Sequence, residues 1–430
     1  MPIKNSKVKT PQVGITKLDN GITVISQNFN HVETVALGTW FRAGARDEQE
    51  GEHGIAHMLE HMAFKGTKKR NAQQIAEEIE FAGGDINAST SMETTSYTAR
   101  VLQEEWPNAL NVIADIVCNP QFDGQEMARE QGVVLQEIAA SNDMPDDVVY
   151  DIGHEIAFPK QAIGRPILGT AKSVSAFDPQ SLISFRNRHY VGANMVVAAT
   201  GKINHQDFVA QVENDFAIQK AGNKIDRPVA AFSSGCSLIE KPLDQTHILM
   251  SFPSVGYRHD DVYAMQVLAI ILGGGMSSKL FQKVREERGL CYSVYAHITA
   301  FQDSGLFSVY AGTAPNQVNE LIDVTTQTIL SMENGAGEQE LLKAKNQIKA
   351  AIVMSLESTA GRAEQLARQY LAIGKIRDTA EIVANIEAVT MQDIKRLAGE
   401  VFSSGELSLA AVGSMEQRPN FEKIIKPFTA

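Results

Sequence analysis

The segment His57-Met58-Leu59-Glu60-His61 sets two imidazoles four residues apart, with a carboxylate just before the second. On an α-helix that spacing brings both rings to one face, one turn apart, where they can grip a single divalent ion. Glu60 projects from nearly the same face and can take a proton from an attacking water without itself ligating the metal. This H-x-x-E-H order is the inverted form of the zincin motif and points to metal-assisted hydrolysis. Such a site needs a third protein ligand. The run from Glu130 to Glu137, EQGVVLQE, offers two carboxylates seven residues apart and again on one helical face.

Helices and strands in a definite order must position these groups. Residues 34–44 read as a strand and 54–64 as a helix, and a second helix begins near Asn71 and stops at Gly83-Gly84. Strands over 85–90 and 94–101 follow, then a helix over 106–117 that leads to Pro120. Asp123, with Glu126 three residues on, caps a long helix through Glu137. The same order returns later in the chain, with a strand over 246–252, helices over 261–272 and 277–287, and strands over 292–300 and 305–311. Asp178-Pro179 and Thr390 each open a helix that precedes a strand, at 194–200 and 407–412.

One plan written twice implies an α+β protein of two structurally similar domains, each a mainly antiparallel sheet covered by helices. The domains are expected at 1–217 and 236–430. The linker at 218–235 is marked by Gly222, Pro228 and Ser233-Ser234-Gly235. The repeat also bears on chemistry. Laying Gln125-Glu126-Met127-Ala128-Arg129 over Gln339-Glu340-Leu341-Leu342-Lys343 puts Ala344 opposite Glu130 and Ala351 opposite Glu137. The second copy also lacks histidines in its first helix, so the carboxylates keep company with the histidines, as a metal site requires.

The stretch from His57 to Thr67, HMLEHMAFKGT, closely resembles the zinc motif of the pitrilysin-type metallopeptidases, in their short bacterial and mitochondrial-processing-peptidase-like branch. The resemblance covers nearly the whole chain. It implies a zinc endopeptidase with Zn²⁺ on His57, His61 and Glu137, Glu60 as general base and Glu130 supporting the site. By the same resemblance, Asn87, Ala88, Ser89 and Thr90 belong to an exposed edge that pairs with the substrate backbone. Arg285 and Tyr292 resemble the family's substrate-gripping pair, able to donate hydrogen bonds to the carbonyl under attack. Asp147 and Asp151 match positions that receive an arginine upstream of the cleaved bond, and Phe64 matches an aromatic that lines the pocket just after it. Relatives enclose unfolded peptides in a chamber of four such domains, so a two-domain chain implies a homodimer. The alternative is a non-catalytic assembly or partner subunit of the same fold.

Composition narrows the rest. At 430 residues and 43% hydrophobic, the chain has material for two cores. The polar residues 1–7 and the lack of a long uncharged apolar stretch predict a compact, soluble, cytoplasmic protein with no membrane partner. Cys118, Cys236 and Cys291 form no paired motif and fit a reducing compartment. A net charge of −12 disfavours nucleic acid. Gly273-Gly274-Gly275 lacks the lysine and downstream pattern of a phosphate loop.

Overall fold

A computed structural model describes residues 12–429, so the polar stretch 1–7 lies outside the described residues. The chain divides into two compact units. The first takes the described residues up to Val133 together with Lys172–Asp226 and Ser355–Ile376. The second takes Val134–Ala171, Arg227–Met354 and the described residues from Arg377 onward.

In the first unit, β1 (Val13–Lys17), β2 (Thr23–Asn28), β3 (Thr34–Phe41), β4 (Asp85–Thr90), β5 (Thr95–Leu102) and β6 (Met195–Gly201) form one sheet in the order β1-β2-β6-β3-β5-β4. All neighbours are antiparallel except β2 and β6. β3 and β6 are central and apolar on both faces, which suits strands covered on both sides. β4 lies at an edge and alternates exposed with half-buried residues.

The second unit repeats the plan with β7 (Gly235–Ile239), β8 (Thr246–Ser254), β9 (Cys291–Ala300), β10 (Gly305–Thr313) and β11 (Ser408–Val412), ordered β7-β11-β8-β10-β9. Only β7 and β11 run parallel. The α+β class with two helix-covered sheets is therefore the observed one, each sheet being mixed by a single parallel pair.

Among the helices, α1 (Ile55–Ala63), α2 (Ala72–Phe81), α3 (Trp106–Cys118) and α4 (Gly124–Asn142) follow the order read from the sequence. Asp123 Oδ1 accepts from the backbone N–H groups of Gln125 and Glu126, which fixes the start of α4. The stretch read as a helix over 277–287 is π-helical from Phe281 to Glu286. Its i→i+5 bonding, Glu287 N–H to Gln282 C=O at 2.9 Å, is a widening that side-chain periodicity does not reveal.

Two helices depart from the order of the sequence halves. α5 (Pro145–Ala157) follows the first copy but packs in the second unit, where Val149 meets Leu249, Tyr310, Ala410 and Val412. The helix Thr359–Ile373 follows the second copy but packs in the first, its Ala363, Leu366 and Ala367 meeting Ile25, Trp40, Val196 and Ala198. The chain changes unit at 133–134, 171–172, 226–227, 354–355 and 376–377, so neither unit is a single stretch of sequence. Among the described residues no helix is long and apolar enough to cross a membrane.

Candidate metal centre

α1 carries the motif because its two sides differ. Met58, Leu59 and Met62 are buried, whereas His57, Glu60 and His61 remain half-buried on the other side. The helix begins at Gly54, whose φ of 90° falls in the left-handed region that favours glycine. No side chain of that residue can cap the helix, and Glu48 does so instead. Its buried carboxylate accepts from Gly54 N–H at 2.9 Å and from Ala56 N–H at 3.0 Å. Glu48→Ala leaves both donors without this acceptor and is expected to cost about 1–3 kcal/mol of stability. Urea unfolding checks this, and an unchanged midpoint would remove Glu48 from that role.

α4 presents its apolar Met127 and Val134 inward, and the same stripe carries the buried Glu130 and the half-buried Glu137. The helix runs unbroken between the two glutamates. One ligand atom from each of His57, His61 and Glu137 lies within 4.8 Å of the others. The two imidazoles stand edge to face, 4.6 Å apart at their centroids. Burial first, and then the neighbouring His61, holds His57 down at about 4, so the ring is neutral at pH 7. Two imidazoles and a carboxylate in this proximity form the three-ligand set that a catalytic zinc site uses, and the residues fit the ion.

Glu130 stands behind this group. Its Oε2 is 3.1 Å from His61 Nδ1 and its Oε1 is 2.7 Å from Lys65 Nζ. A carboxylate on Nδ1 fixes the ring's orientation and leaves Nε2 for a metal. Lys65 was not singled out from the sequence, although it lies one helical turn beyond His61, on the side from which Glu130 approaches.

Glu60 is held from the sheet, since Thr90 Oγ1 donates to Glu60 Oε2 at 2.5 Å. Thr90 closes β4, so the end of the edge strand and the motif helix are joined through this bond. Asn87, Ala88 and Ser89 precede it on the same edge, and their second backbone side carries no strand among the described residues. Phe64 caps the C-terminal end of α1, with its ring 6.2 Å from that of Tyr97.

Asp147, Asp151, Arg285 and Tyr292 belong to the second unit. Asp147 and Asp151 lie one turn apart on α5. Desolvation, then the like charges of Asp147 and Glu155, pushes the Asp151 carboxyl up to about 6. Arg285 lies over two rings, its guanidinium carbon 5.0 Å from the Tyr292 centroid and 4.5 Å from that of Phe281. Tyr292 itself is 75% exposed at the start of the edge strand β9, whereas Arg285 is half-buried. The residue opposite Glu130 in the repeat, Ala344, is fully buried in the second core, where a carboxylate would be costly.

Two family models match the chain. Residues 23–171 match the model described as Insulinase (Peptidase family M16), and residues 176–348 match Peptidase M16 inactive domain. An uncharacterized zinc protease of Rickettsia felis is 40% identical over 391 residues, covering 91% of this chain and 95% of its own. Another from Bacillus subtilis is 34% identical and covers 93% of this chain and 98% of its own. In fold, the chain is similar to a peptidase M16 inactive domain from Pseudomonas fluorescens, with a TM-score of 0.88 at 21% identity over 95% of this chain and 100% of that one.

Proposed function

The chain belongs to the M16 peptidase family, and from that membership and its site we infer that it is a zinc-dependent endopeptidase acting on unfolded peptides or presequence-like segments. The observation that carries this reading is the convergence of His57, His61 and Glu137, with Glu60 beside them and tied to the end of an open strand edge.

His57, His61 and Glu137 would hold the zinc ion, which when bound acts as a Lewis acid toward the scissile carbonyl and the attacking water. Glu60 accepts the proton of that water and later delivers it to the leaving amine. Thr90, by donating to Glu60 Oε2, helps to fix the rotamer of the base. β4 receives the peptide as an added strand, using backbone groups that every sequence possesses. Phe64 lines the position just after the cleaved bond. Asp147 and Asp151 receive a cationic side chain before it, a role that suits two carboxylates one turn apart.

Arg285 and Tyr292 act on the carbonyl of the substrate held at the zinc of a second copy, so the working form is a homodimer. The test mixes two inactive variants, Glu60→Gln and Arg285→Ala with Tyr292→Phe, under conditions of subunit exchange. Mixed dimers then contain one intact site and regain peptide cleavage. No recovery, with exchange shown by an independent label, would place the pair within its own subunit or outside the reaction. Failure of the unaltered, zinc-loaded protein to cut any unfolded peptide would remove the endopeptidase reading itself.

A further inference from the structure

β4 offers an added strand more than backbone groups. Its alternation sends Ile86, Ala88 and Thr90 to the face of Glu60, and Asp85, Asn87 and Ser89 to the opposite one. On that opposite face the helix Thr359–Ile373 lies against the sheet. Between its first turns and β3, β5 and β4 is a cavity of about 370 Å³. Much of its wall is small or apolar, including Ala36, Ala360 and Ala363, and its charged lining is two carboxylates, Asp85 and Glu364, and one cation, Arg100.

Those carboxylates differ in how they are held. Glu364 is fixed, accepting from Trp40 Nε1 at 2.7 Å and pairing with Arg368 Nε at 2.6 Å. Asp85 pairs with Arg100 at 3.0 Å, but both side chains are more than half exposed. Such a pair contributes little, so an incoming cation can take the place of Arg100 at small cost.

The second unit shows that the fold does not demand this cavity. The sixth residue of α5 is Tyr150, and its ring stacks on Tyr310, which in turn stacks on Tyr295 of the edge strand. The sixth residue of Thr359–Ile373 is Glu364. The strand trio β8-β10-β9 thus meets its swapped helix through tyrosines, whereas β3 meets its own through Trp40 and leaves the cavity beside that contact.

We propose that this cavity is a substrate subsite for a lysine or arginine side chain of a peptide strand paired to β4, about five residues from the cleaved bond. The inference rests on the endopeptidase reading. Apolar walls match the methylene stem of such a side chain, and Asp85 and Glu364 match its head. The distance follows from the strand, because Asp85 lies five residues from Thr90, which marks the catalytic end. A paired extended peptide advances residue for residue with β4, and its side chains reach the cavity face only at alternate positions.

The experiment moves a single lysine, one residue at a time, along otherwise alanine-rich quenched peptides on either side of the cleaved bond. One position about five residues away is expected to lower KM about fivefold relative to alanine, with no gain at its immediate neighbours. Glu364→Gln, which keeps an acceptor for Trp40, brings that ratio close to one. Ala360→Phe, at an exposed helix position, fills the cavity and does the same. The absence of a lysine position in the unaltered protein, or a ratio untouched by both variants, overturns the proposal. Anisotropy of labelled peptides on the Glu60→Gln variant reads the same preference without hydrolysis. Loss of all cleavage with the lysine preference intact in binding would therefore count against the endopeptidase reading and not against the subsite.

Discussion

Glu60→Gln is expected to retain zinc and lower kcat by about 10²–10⁴-fold, the share that a positioned general base contributes. The amide has nearly the volume of the carboxylate, and its oxygen can still accept from Thr90 Oγ1, so the helix and the neighbouring imidazoles keep their places. What it cannot do is accept a proton from water. The loss should fall on kcat rather than KM, because the β4 edge that binds the peptide backbone is untouched. Turnover near the unaltered rate with zinc still present would rule out Glu60 as the base. Thr90→Val adds a finer test, since it removes only the bond that orients the base and should lower the rate by less.

The chemistry-bearing face of α1 was legible because its signal is local. Four residues between imidazoles and seven between carboxylates are facts of helical geometry, and Asp123 marked where α4 begins. The succession of strands and helices was legible for the same reason, since burial imposes a period on each element by itself. Features that depend on distant partners were not. Nothing in the sequence of α5 or of Thr359–Ile373 states which sheet will cover its apolar stripe, and each packs in the unit of the other copy. Glu48 caps α1 from six residues before Gly54, outside any local capping pattern. Thr90 was read as part of a backbone edge, yet its hydroxyl meets a residue thirty positions away. The cavity under Thr359–Ile373 opens where small residues such as Ala36, Ala99, Ala360 and Ala363 leave room beside larger ones, and a missing volume leaves no periodicity to read.

Substitution of the three convergent residues should act on the metal before it acts on the rate. His57→Ala, His61→Ala and Glu137→Gln each remove a donor from a set with no fourth protein ligand among the described residues, so zinc should be lost on dialysis and hydrolysis with it. Glu130→Gln separates the ligand from its support. It keeps a hydrogen-bonding atom near His61 Nδ1 but gives up the charge shared with Lys65, and zinc affinity is expected to fall by about 10–100-fold without disappearing. Elemental analysis and competition with a chelator place the four variants in order. Metal binding to the folded state also adds stability, so the melting temperature of the unaltered protein should drop when zinc is stripped. The three ligand variants should show little further drop on stripping. Full zinc occupancy in Glu137→Gln would break the assignment, because the two histidines on α1 would then be holding the ion with a different third residue. If Glu130→Gln instead lost zinc while Glu137→Gln kept it, the ligand and its support would exchange places on α4, and the general base at Glu60 would stand unchanged.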